Sequence, residues 1–201
     1  MNYLSHLFLS GSSEGVKVGN FIGDFVKGSR HNRYAPEIQK GILLHRQIDS
    51  FMDSHPVTKA SSELFRSRYR RYAKVLIDIV YDHFLAVNWE LYREQSLHQF
   101  VSESHNILLR HYFIMPGPVK QFLPFLIRSR RMENYRLLSG IERTLKIMSE
   151  NSSMPEHSEW AIAQIKEHYD TIDSQFKVFF EDIMAMSAKF IDEYPKDELG
   201  V

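Results

Sequence analysis

The chain has 201 residues, of which 43% are hydrophobic and 13% aromatic, with 25 basic and 25 acidic side chains and no cysteine. That is enough apolar material for one core and one domain, residues 1–201, and it excludes disulfides, thiolate ligation and a global field that would gather nucleic acid. No apolar run is long enough to span a bilayer, and the start Met1-Asn-Tyr-Leu-Ser-His6 lacks the basic region and apolar stretch of a signal peptide, so a cytoplasmic protein without membrane contact is expected.

The elements read as helices nearly throughout. Pro36 precedes apolar residues at Ile38, Ile42, Leu43, Ile48 and Met52, which predicts a helix entered through proline and closing near Pro56. Further helices are expected over 58–71, which is basic and amphipathic, over 74–93, which is more apolar, and over about 95–111. Met115-Pro-Gly-Pro118 is the strongest break, and a new helix starts near Val119. Residues 133–149 fit another helix, Asn151 to Pro155 a loop, and 157–192 one long helix through Trp160, Ile165, Phe176 and Ile183. No alternating strand pattern occurs. An all-α, single-domain helical bundle follows.

Five aspartates in the first ninety residues lie in apolar or aromatic surroundings: Asp24, Asp49, Asp53, Asp78 and Asp82. An ionised carboxylate among apolar side chains is costly unless it is paired or holds a cation, so a metal site explains all five together. His45, Asp49 and Asp53 share one helix face at four-residue spacing, Asp78 and Asp82 share another, and His83 stands about 100° round from Asp82. Carboxylate and imidazole ligands without sulfur favour manganese, magnesium or iron over structural zinc. Each residue alone also reads as an ion-pair partner, Asp49 with Arg46 or Lys40 and Asp78 with Lys74. Around Asp78 and Asp82, however, Val75, Leu76, Ile77, Ile79, Val80, Phe84 and Leu85 leave no solvent face for such pairing. His6 reads equally as a buried hydrogen-bonded group or an outer ligand, His55 as a helix-end residue that caps, meets solvent or ligates, and His168 as a residue at the site's rim.

Basic residues form two clusters. Arg66, Arg68, Arg70, Arg71 and Lys74 stand against a lone Glu63, with Tyr69 and Tyr72 interleaved; Arg128, Arg130, Arg131 and Arg136 form the second. Such runs are solvated faces or contacts for an acidic partner, and the interleaved tyrosines also suit nucleic acid.

Taken together, Asn2-Tyr-Leu-Ser-His-Leu7, Gly23-Asp-Phe-Val-Lys-Gly28, Gly41-Ile-Leu-Leu-His-Arg-Gln-Ile-Asp49, Arg70-Arg71 and Asp82-His-Phe-Leu85 resemble the acyl carrier protein phosphodiesterases. The likeness runs over most of the chain, with its specific motifs before residue 90. It implies an all-helical, HD-phosphohydrolase-like, manganese-dependent enzyme that hydrolyses the phosphodiester joining 4′-phosphopantetheine to a serine of holo-acyl carrier protein. It also implies metal ligation by Asp24, His45, Asp49, Asp82 and His83. The order Asp82-His83 reverses the His-Asp doublet of HD enzymes.

Within that reading Arg46 is a candidate phosphate clamp, or else a partner of Asp49 or Asp53. Asp53 or Asp78 would serve as general base or hold the ligands in place. Arg68, Arg70, Arg71 and Lys74 would dock the acidic carrier. A metal phosphohydrolase acting on nucleotides or small phosphate esters is the alternative, and a non-enzymatic helical adaptor a weaker one.

Overall fold

Eleven α-helices joined by short 3-10 turns make up the computed structural model, which describes residues 2–194 and contains no strand among them. They are α1 (Tyr3–Phe8), α2 (Glu14–Ile22), α3 (Pro36–Ser54), α4 (Pro56–Tyr69), α5 (Ala73–Val87), α6 (Leu97–Arg110), α7 (Gly117–Arg128), α8 (Arg131–Asn134), α9 (Leu138–Glu150), α10 (Ser158–Glu167) and α11 (Tyr169–Glu193). Helices occupy each stretch expected from Pro36 to residue 150, but the one expected over 74–93 ends at Val87 and the one expected over 133–149 is interrupted between Asn134 and Leu138. The long one expected over 157–192 is broken at His168, where the backbone leaves helical geometry (φ −109°, ψ 20°). No glycine or proline marks that break, so the apolar period reads straight through it.

A continuous core runs from Leu4 to Ile183. α5 lies at its centre, with eleven of its fifteen residues buried, Asp82 and His83 among them, so polar groups on this helix must find their partners inside the protein. α2 and α3 make the closest crossing. A methyl group on Gly19 would sit 2.0 Å from the Ile38 carbonyl oxygen, and one on Gly41 2.2 Å from that of Val16. Only glycine lets these two backbones touch, and the contact brings the end of α2 against the middle of α3. α1 is only six residues long and starts at Asn2, whose side chain accepts the Tyr3 N–H at 2.9 Å.

Candidate metal centre

Three helices and one turn meet at the α2–α3 crossing. α1 supplies His6, α2 supplies Asn20, α3 supplies His45 and Asp49, and the 3-10 turn Gly23–Phe25 supplies Asp24. That turn rests directly on an imidazole: a Cβ on Gly23 would fall 2.2 Å from His45 Cγ. Asn20 fixes both rings. Its amide donates to the His6 carbonyl at 2.8 Å and to Ser10 Oγ at 2.9 Å, which turns its oxygen toward His6 Nδ1 at 2.7 Å. Its backbone carbonyl lies 2.8 Å from His45 Nδ1. Both partners are acceptors, so both histidines carry their proton on Nδ1 and direct Nε2 into the same space. The rings stack at 4.2 Å.

Carboxylates stand where those Nε2 atoms point. His6 Nε2 is 3.3 Å from Asp49 Oδ1, and His45 Nε2 is 3.2 Å from Asp49 Oδ2 and 3.4 Å from Asp24 Oδ1. A nitrogen lone pair facing carboxylate oxygens is repulsive unless a positive charge lies between them. Without a metal, a proton supplies it. Burial opposes charge on His45, but Asp24 and Asp49 outweigh it and carry its pKa up to about 9. Burial and the neighbouring His45 hold His6 down to about 4. Burial works against the Asp49 anion, yet the two histidines keep its carboxyl far below the usual range; His45 likewise lowers Asp24.

The same arrangement fits a divalent cation. One ligand atom each from His6, His45 and Asp49 lie within 4.8 Å of one another, with Asp24 adjoining. His45 Nε2 is buried and has no aligned hydrogen-bond partner although two carboxylates are near. Two imidazole nitrogens and carboxylate oxygens suit manganese, magnesium or iron.

Of the residues singled out from the sequence, Asp24, His45 and Asp49 are thus brought together, joined by His6. Asp78 lines the adjoining cavity of about 200 Å³, and burial pushes its carboxyl up to about 6. Asp53, one turn beyond Asp49, has left the core and pairs with Lys74 at 2.9 Å on the surface. Arg46 donates to the carbonyls of Val26 and Gly28 at 2.9 and 2.7 Å, tethering the segment that follows Asp24. His55 caps α4 and faces Asp182 at 3.1 Å. His168 sits at the α10–α11 break.

Asp82 and His83 serve other neighbours. Both Asp82 oxygens accept from the first turn of α1, Oδ2 from Leu4 N–H at 3.0 Å and Oδ1 from Ser5 N–H at 3.1 Å, with the Ser5 hydroxyl also donating to Oδ1. Burial pushes its carboxyl up to about 7 against these three bonds. His83 lies 2.7 Å from the Tyr135 carbonyl and 3.1 Å from the Tyr169 hydroxyl. The geometry therefore makes Asp82 an anchor for the helix that carries His6. Asp82→Ala should lower folding stability by about 2–5 kcal/mol in urea titrations, because two buried N–H groups lose their acceptors. Unchanged stability with lost manganese affinity would make Asp82 a ligand instead.

The basic residues gather at the α4–α5 junction. Arg68 lies over Trp160 at 5.3 Å, Arg71 over Tyr72 at 5.0 Å, and Arg70 takes a left-handed backbone (φ 49°) in the turn. Arg66, Arg70, Arg71 and Lys74 border a broad open cleft. Lys74 also borders a small cavity that it shares with Asp53 and with Asp78, which in turn lines the cavity beside His6 and His45.

Asn20, central to this geometry, carried no site signal in the sequence. Asn20 could have been suspected as an amide inside the apolar run Val18-Gly-Asn-Phe-Ile22, where burial demands partners. No solved structure matches the chain. In sequence, residues 1–183 match the acyl carrier protein phosphodiesterase family. Curated proteins of that name include one from Photorhabdus laumondii, 31% identical over 92% of this chain and 93% of its own length. Another is from Yersinia enterocolitica, 30% identical over 93% and 97%. With the match covering nearly the whole chain, this protein belongs to the acyl carrier protein phosphodiesterase family and is a phosphoric diester hydrolase.

Proposed function

We propose that the chain hydrolyses the phosphodiester of holo-acyl carrier protein, releasing 4′-phosphopantetheine and the apo-protein, at an HD-phosphohydrolase-like metal site formed by His6, His45, Asp49 and Asp24. The observation that carries this reading is the convergence of two tautomer-fixed Nε2 atoms and two carboxylates on one point beside a cavity. When bound, a divalent cation such as manganese supplies Lewis acidity to the phosphoryl group and makes water a better nucleophile near neutral pH. In the reaction a water oxygen bonds to phosphorus, the bond from phosphorus to the serine oxygen breaks, and that oxygen takes up a proton. Asp78, on the cavity wall with a carboxyl raised to about 6, takes the proton that water loses. The carrier, acidic by expectation, docks on the α4–α5 junction, from which its prosthetic arm reaches the cavity past Lys74.

Intact-mass spectrometry of holo-acyl carrier protein incubated with the protein and manganese tests this, alongside a panel of nucleotides. Conversion to the apo mass is expected. Turnover of nucleotides alone would favour a small-molecule phosphohydrolase using the same ligands. Docking is tested separately by reversing Arg68, Arg70 and Arg71 to glutamate. The KM for holo-carrier should rise by about tenfold or more at low salt, with the penalty shrinking as ionic strength screens exposed charges. An unchanged KM at low salt would place docking elsewhere.

A further inference from the structure

Arg131 from α8 and Thr144 and Met148 from α9 line the same cavity as His6, Asp24 and Asp78. Among the described residues Asp24 and Asp78 are both in the lining, and Arg131 is its single arginine or lysine. A phosphoryl group is itself an anion, so entering a space walled by carboxylates requires positive charge on more than one side.

Arg131 differs from the other members of its cluster. Arg130 is engaged with Glu133, through Nε at 2.6 Å and a terminal nitrogen at 2.8 Å. Arg128 and Arg136 are exposed. Arg131 is half-buried, and among the described residues no carboxylate pairs with it. The chain reverses at Arg130, whose backbone is left-handed (φ 48°), and α8 begins with Arg131. Its guanidinium lies over the Phe125 ring at 5.4 Å, a contact that supplies no oxygen acceptor for its N–H groups. Arg46 is unsuited to that task, being committed to the Val26 and Gly28 carbonyls.

We infer that Arg131 binds the phosphoryl oxygens of the substrate and of the released phosphate monoester, in the cavity that His6 and His45 also line. The inference rests on the phosphodiesterase reading for the identity of the ligand, and on the cavity itself for its chemistry. A forked donor against two oxygens gives both affinity and orientation.

Arg131→Met keeps an apolar stem against Phe125, and Arg131→Lys keeps the charge without the fork. In manganese-loaded full-length protein, calorimetric titration with 4′-phosphopantetheine should show binding weakened about tenfold or more by Arg131→Met and partly restored in Arg131→Lys. Titration with pantetheine, which lacks the phosphate, should be unaffected, as should manganese affinity and the melting temperature. Equal 4′-phosphopantetheine affinity in the parent and both variants, including no detectable binding by any of them, overturns the inference. A parallel loss of manganese affinity overturns it too, since Arg131 would then support the centre rather than the ligand. A parent that hydrolyses holo-carrier while Arg131→Met and Arg131→Lys bind like it refutes only Arg131. A parent inactive on holo-carrier whose 4′-phosphopantetheine binding depends on Arg131 refutes the substrate and keeps the anion site.

Discussion

His45→Asn should reduce turnover of holo-carrier on the order of 10³-fold or more while leaving the helical fold in place. The imidazole has two separate duties, a bond from Nδ1 to the Asn20 carbonyl and an Nε2 directed at Asp24 and Asp49. An asparagine amide can still donate to that carbonyl, but nothing replaces Nε2, so two carboxylates are left with only His6. Manganese affinity should fall together with kcat/KM, and circular dichroism should be unchanged. Full activity and metal content in a folded His45→Asn protein would remove this residue from the centre.

Asp78→Asn should cost roughly 10²–10⁴-fold in kcat/KM, the range of a positioned general base, with manganese affinity retained. The base must be ionised. With its carboxyl raised to about 6 by burial, kcat/KM of the parent should climb with pH through that value and level off about a unit above. The asparagine variant should lack this limb. The sign for stability is opposite. A carboxyl whose pKa is raised by folding stabilises the native state only while it stays protonated there, and that contribution is lost as pH rises from the unfolded value toward about 6. At pH 7 the variant should therefore be at least as stable as the parent, the behaviour expected of a residue kept for chemistry. A parent and variant sharing the same acidic limb would assign it to another group.

The sequence was most legible where one helix carries its own pattern. The four-residue spacing of His45 and Asp49 places both on the same face of α3, and the apolar surroundings of Asp82 and His83 marked α5 as buried. The same reasoning misses where burial ends and where neighbours lie. Asp53 continues the α3 stripe by one more turn, but there only Met52 beside it stays in the core, and the exposed carboxylate meets Lys74. Asp82 and His83 are adjacent and buried, yet they point apart, one to the start of α1 and the other to Tyr135 and Tyr169. α1 is too short to show a period, so His6 reads as either of two things until α1 is seen lying against α2. The inward turn of Arg131 depends on the chain reversal at Arg130 and on the Phe125 ring, neither of which a run of four arginines reveals.

Hydrolysis of holo-acyl carrier protein by chelator-treated protein, followed by intact mass with metal removal confirmed, tests most directly whether the His6–His45–Asp49–Asp24 cluster works through a cation. No conversion to the apo form is expected until manganese is returned, with activity recovering in proportion to the metal bound. Undiminished conversion by the metal-free protein would contradict it.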